Sequence, residues 1–388
     1  MDERTARMCL AAVVEPGHPA TADAVADYGA EEVWAALLAS GDERPLAARA
    51  RRVSPAGLVA RTRADGLRFV VPGDPEWPAG LADLVGCEPV NQLSGPPLGL
   101  WLAGRGELAG LAATSVAIVG SRASTAYGDL VAADLGAELS EAGRSIVSGG
   151  AYGIDAAAHR GCLAGRSATV CVLAGGLDAP YPGGYRPLFE RIAENGVLVS
   201  ELAPGERPSR VRFLARNRLI AALAPGTVLV EAAARSGARN TVTWANVLGR
   251  VVMAVPGPVT SATSVTPHRL VREAEAVLVT GSADVLELLS PLGRRAAPPS
   301  SERRATDELS TEELRVFEAV PGRGALPAGE LALRAALTVP RCLAVLDLLA
   351  ERGFLVQDEV GEWKLPPRVG QRARQASSSR SHTSLAVG

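Results

Sequence analysis

Residues Val116–Gly128 read VAIVGSRASTAYG. A short, fully apolar run breaks at Gly-Ser-Arg and passes into a helix-compatible stretch, the opening unit of an open α/β sheet. Six further apolar runs follow: SIVSGG from 145, TVCVLAG from 169, VLVSE from 197, TVLVEA from 227, VVMAVPG from 251 and AVLVT from 276. Helical stretches such as YGDLVAADLGAELSEAG, GIDAAAHRGCLAG and TVTWANVLG lie between them. Continuous apolar strands joined by crossover helices specify a mostly parallel sheet covered on both faces. The expected fold is α/β, an extended Rossmann-like core over residues 111–288.

Outward from this core the pattern changes. Residues 1–60 carry TARMCLAAVV and ADAVADYGAEEVWAALLAS, both with helical period, and predict a small helical N-terminal domain. Residues 61–110 read as a connector with a short extended stretch. Residues 289–308, rich in Pro, Ser and Arg, read as a linker. Three helical stretches and a hairpin over 309–366 suggest a winged-helix-like domain, and 367–388 a disordered tail.

Composition excludes several classes. With 388 residues, 47% of them hydrophobic, the chain can bury a large core. Its apolar runs stay well under the roughly 18 residues of a membrane span, and the charged start MDERTARMCL leads into no secretory segment, so a cytoplasmic location is expected. Five scattered cysteines and four histidines lack metal-ligand spacing, so neither metal nor cofactor is expected. The net charge of −2 is unremarkable, but ERPSRVRFLARNR at 206–218 holds five arginines against one acid. Lys364 is the only lysine, so the core has none for a Walker-type loop or a Schiff base.

Unusual residues gather at the carboxyl ends of the expected strands, where open α/β sheets bind ligands. Amides of Gly120 and Ser121 with the Arg122 guanidinium suit a phosphate, and Ser148 and Gly149 form the next turn. Phe213, Arg216, Asn217 and Arg218 combine a stacking ring with cations, and Ser236-Gly237 offers an anion nest. A dinucleotide enzyme is disfavoured, because GSRASTAYG is not GxGxxG and the second strand ends without an acid. Asp155 and His159, four apart on one helical face, read as a fixing hydrogen bond ahead of an acid–base pair.

Together, VAIVGSRASTAYG, SGGAYGIDAAAHRG, VLAGGLDAPYP, VSELAPGERP, FLARNRLIAAL, VLVEAAARSG and GRVVMAVPG resemble the DNA-processing protein A family, also called Smf. The resemblance covers about residues 110–280. It implies a dimeric, non-enzymatic protein of DNA recombination and natural transformation. Such a protein binds and protects single-stranded DNA and loads the RecA recombinase onto strands coated by single-strand-binding protein. Carried onto this sequence, the DNA pocket would comprise Gly120, Ser121, Arg122, Ser148, Gly149, Phe213, Arg216, Asn217 and Arg218. The chain departs from the family pattern at Leu214, at ARNTVTWAN with Arg239 and Asn240, and at TPHRLVREAEA with Pro267 and His268.

Two other functions compete. A nucleotide-processing enzyme of the phosphoribohydrolase type needs a carboxylate by the sugar, for which Glu201 and Glu231 are candidates. A duplex-DNA or protein-binding adaptor would work through the C-terminal domain, whose expected wing QDEVGE is acidic.

Overall fold

The computed structural model describes residues 1–40, 45–290 and 305–366. The chain divides into two units, Met1–Ala297 and Pro298–Gly388. The first is built on nine strands: β1 (Arg68–Val70), β2 (Leu100–Ala103), β3 (Val116–Val119), β4 (Ile146–Ser148), β5 (Thr169–Leu173), β6 (Val197–Ser200), β7 (Gly226–Leu229), β8 (Val251–Ala254) and β9 (Val277–Leu278). They lie in the order β1-β2-β6-β5-β4-β3-β7-β8-β9. Strands β3 to β9 are parallel neighbours and coincide with the seven apolar runs of the sequence.

Alternation along β3 distributes its side chains between two cores. Val116 and Ile118 pack with Leu135, Leu139 and Ile154 from helices Ala126–Glu141 and Ile154–Cys162. Ala117 and Val119 face Leu219, Ile220 and Trp244 from helices Arg210–Leu223 and Ala238–Val247. Both faces are therefore covered, which explains why these strands lack polar alternation.

The stretch 61–110, expected as a connector, contributes sheet. Strand β2 pairs antiparallel with β6, Trp101 opposite Ser200, and β1 pairs antiparallel with β2, Phe69 opposite Trp101. The two strands are only three and four residues long and stand among Pro and Gly, so no period announces them. Helices Glu3–Val13, Pro19–Tyr28, Ala30–Ala39, Pro45–Ala50 and Pro55–Ala64 precede the sheet. The second expected helical run breaks at Gly29, whose φ of 81° is left-handed. These helices share the sheet's unit: Arg4 donates to the Phe69 carbonyl at 2.7 Å, and Arg212 reaches Glu15 at 2.9 Å.

In the second unit, helices Thr311–Ala319, Ala328–Arg334 and Val339–Glu351 precede a hairpin of β10 (Val356–Gln357) and β11 (Trp363–Lys364). Val316, Leu331, Leu346, Leu349 and Trp363 form its core. Ser310 and Glu313 cap the first of these helices reciprocally. Most of the expected linker and all of the expected tail lie outside the described residues. Among the described residues no helix is long and apolar enough to cross a membrane.

Candidate nucleic-acid interface

Strand order reverses at β3: β4, β5 and β6 extend the sheet to one side, β7, β8 and β9 to the other. Loops diverge at such a point and leave a crevice beyond the strand ends. A cleft of about 1070 Å³ opens there, lined by Gly120, Ser121 and Arg122 after β3, Ala151 after β4 and Ala233 after β7.

The turn after β3 is held from behind. A Cβ at position 120 would press on Ile154 and the Glu231 carbonyl, so only glycine fits. The expectation that the Ser121 amide faces a phosphate is corrected: it donates to the Glu231 carbonyl at 2.7 Å, because the loops after β3 and β7 continue the ladder past the strands. The Glu231 carboxylate accepts from the Thr125 amide at 2.9 Å and hydroxyl at 2.7 Å, and from the Thr263 hydroxyl at 2.9 Å. Thr125 in turn caps helix Ala126–Glu141 by accepting from the Gly128 amide.

Helix Arg210–Leu223 supplies the opposite wall, its N-terminus capped by Ser209. Residues 210, 213, 217 and 220 fall on one helical face, and Arg210, Phe213, Asn217 and Ile220 all line the cleft. The Arg122 guanidinium lies 4.3 Å over the Phe213 ring, joining the two walls. Tyr181 meets the same ring edge-on at 6.1 Å.

Arg216 is the most unusual of these residues. Only 6% of it is exposed, and its Nε and Nη1 meet no acceptor. The guanidinium rests on Gly149, where any Cβ would overlap it. Burial draws its pKa down and Asp155 draws it back up. Asp155, equally buried, has its carboxyl pKa raised by burial, against the pull of Arg216. A buried charge without a hydrogen-bonded partner costs several kcal/mol, so a cleft retaining one is suited to an anion.

Three expected contacts, Ser148, Gly149 and Arg218, do not line the cleft. Arg218 is fully buried and grips Glu201 in a fork, Nη1 to Oε2 at 2.7 Å and Nη2 to Oε1 at 2.6 Å. It sits about 100° further around the helix than Asn217, which turns it toward the end of β6. Ser148 is also fully buried and donates its hydroxyl to the Ile118 carbonyl at 2.6 Å, tying β4 to β3. Gly149 acts through the seat it leaves for Arg216. Gly237 lines the cleft, and its carbonyl accepts from Asn217 Nδ2 at 3.4 Å.

The groups weighed for catalysis are committed to structure. Glu201 is held by Arg218, Glu231 by the two threonines. Buried His159 Nδ1 bonds Thr169 Oγ1 at 2.7 Å rather than Asp155, and burial drops its pKa to about 3. Exposed Arg235, close in sequence to Glu231, makes no ion pair with it among the described residues and borders the cleft. Among the described residues no group of three or more His, Cys, Asp or Glu side chains is placed to hold a metal.

Sequence reasoning missed Arg210, Tyr181 and Asn240 as lining residues. The first was legible from its i, i+3 spacing to Phe213; Tyr181 arrives from a distant loop and Asn240 from helix Ala238–Val247. Four arginines thus border the cleft, at 122, 210, 216 and 235, against the single lining carboxylate Asp155.

The result is a Rossmann-like sheet with an arginine-rich, aromatic cleft at its switch point, and with Glu201 and Glu231 engaged by neighbouring side chains. The family model for DNA recombination-mediator protein A matches residues 68–290, more than half of the chain. The chain is 46% identical over 318 residues to a DNA processing protein DprA homologue of Mycobacterium tuberculosis, covering 81% of each. It is 40% identical over 186 residues to the DNA processing protein DprA of Streptococcus pneumoniae, 47% of this chain and 64% of that one. The solved structure of DNA processing protein A from Streptococcus pneumoniae matches with a TM-score of 0.59 and 30% identity, over 72% of this chain and 95% of that one. This chain belongs to the DNA recombination-mediator protein A family.

Proposed function

We propose that the cleft holds single-stranded DNA, and that the protein serves DNA recombination and transformation as a binding factor that leaves the strand intact. Buried Arg216, without an acceptor at the floor of an arginine-bordered cleft, is the observation that carries this reading. Exposed Arg122, Arg210 and Arg235 suit backbone phosphates, and the Arg122–Phe213 stack suits a base. Glu201 and Glu231, each engaged by its neighbours, speak against a phosphoribohydrolase. The family resemblance extends the proposal to a cytoplasmic homodimer that passes its strand to RecA, with residues 309–366 as a winged-helix-like appendage.

Fluorescence anisotropy with a labelled oligonucleotide tests the reading. Three to four neutralised phosphates give a slope of log K against log salt of about −2 to −3 for a single strand. An Arg122→Ala, Arg216→Ala double variant should lose most of the affinity. Binding that ignores salt, or survives the double substitution unchanged, overturns the proposal.

A further inference from the structure

We propose that Asn217 and Asn240 form an open jaw that grips the pairing edge of an unpaired nucleobase, so that the cleft recognises free bases as well as backbone. The proposal rests on the single-strand reading of the same cleft and adds the chemical group that is read there.

Asn217 stands one helical turn beyond Phe213 on the face that lines the cleft, and Asn240 approaches from helix Ala238–Val247. Asn217 Nδ2 donates to Asn240 Oδ1 at 3.1 Å and to the Gly237 carbonyl at 3.4 Å, which uses both of its hydrogens. The reciprocal bond is not made. Among the described residues, Asn217 Oδ1 and Asn240 Nδ2 have no protein partner, and neither is a sealed, unsatisfied atom. One acceptor and one donor, carried by two amides that touch at 3.1 Å, are therefore left unpaired on residues that line the cleft.

That pair complements the pairing edge of a base. Thymine offers N3–H to Asn217 Oδ1 and O4 to Asn240 Nδ2; each other base likewise carries a donor next to an acceptor. In a duplex both groups are already spent on the complementary strand. The jaw accordingly selects unpaired bases without demanding a particular sequence.

The test is a cycle between protein and strand, using the full-length chain, its Asn240→Ala variant and three equal-length labelled strands: thymidine, N3-methylthymidine and abasic. Losing one net hydrogen bond corresponds to about five-fold in affinity. The natural protein should bind thymidine about five-fold or more better than N3-methylthymidine, which has no N3–H for Asn217 Oδ1, and Asn240→Ala, which removes the donor to O4, should weaken thymidine binding about five-fold with a smaller loss on the abasic strand, where there is no base to grip. Equal losses of Asn240→Ala on all three strands would mean a structural role and overturn the jaw. So would a natural protein indifferent to N3-methylation, a result that needs no variant to fold. Failure to bind any strand would instead overturn the single-strand reading itself.

Discussion

The guanidinium of Arg216 occupies the space that a Cβ at position 149 would fill. Glycine at the end of β4 is therefore a seat for a side chain on another element, and the pair predicts a coupled effect. Gly149→Ala should force Arg216 off the cleft floor, costing about 1–3 kcal/mol of stability by overpacking. Oligonucleotide affinity should fall about ten-fold in the same variant. Thermal unfolding and anisotropy check the two halves; unchanged affinity in a folded variant contradicts the seat.

Arg122 and Arg218 should behave oppositely although both belong to arginine-bearing motifs. Arg122→Ala should leave stability within about 1 kcal/mol and make the salt slope shallower by about 0.7, the loss of one phosphate contact. Arg218→Ala strands Glu201 in the interior and should cost about 3–5 kcal/mol, with the slope unaltered in whatever fraction remains folded. Denaturant titration alongside a salt series separates them.

Glu231 should prove to be a fastener rather than a catalyst. In Glu231→Gln an amide replaces one carboxylate oxygen and faces the donors of Thr125 or Thr263, for a loss of about 1–3 kcal/mol. The natural protein should release no free base from nucleoside monophosphates. Base release abolished by this substitution would restore the enzymatic alternative.

How much of this was legible beforehand follows from what sets each feature. Six of the seven parallel strands announce themselves because burial on both faces demands unbroken apolar runs; the edge strand β9 is apolar although Val277 and Leu278 are exposed. Strands β1 and β2 escape because three or four residues paired with distant partners leave no period. Within ERPSRVRFLARNR the polyanion signal is real, but charge alone does not give helical phase. Arg212 goes to Glu15 and Glu206, Arg218 to Glu201, and only Arg210 and Arg216 to the cleft. Ser148 looked like a ligand group for the same reason: a hydroxyl at a strand end reads alike whether it faces solvent or ties two strands together.

His159 gives the molecule an acid limb. Its folded pKa of about 3 lies below the unfolded 6.5, so below pH 6.5 the unfolded chain takes up a proton that the native state refuses. Stability should fall as pH drops through that window, by up to about 1.4 kcal/mol per unit. Asp155, raised by burial, acts in the opposite sense above pH 3.8. Urea unfolding at pH 7 and pH 5 should show the decline in the natural protein and a smaller one in His159→Asn. Equal declines would assign the acid limb to other groups.

The antiparallel seam between β2 and β6 joins Trp101 to the level of Ser200. During synthesis the apolar stretch around Trp101 leaves the ribosome after its β1 neighbour but well before its β6 neighbour exists. At about 5–20 residues per second the interval is on the order of 5 to 20 s. For that time the β6-facing edge of β2 has no native partner, so slow translation between the two strands prolongs its exposure to misassociation.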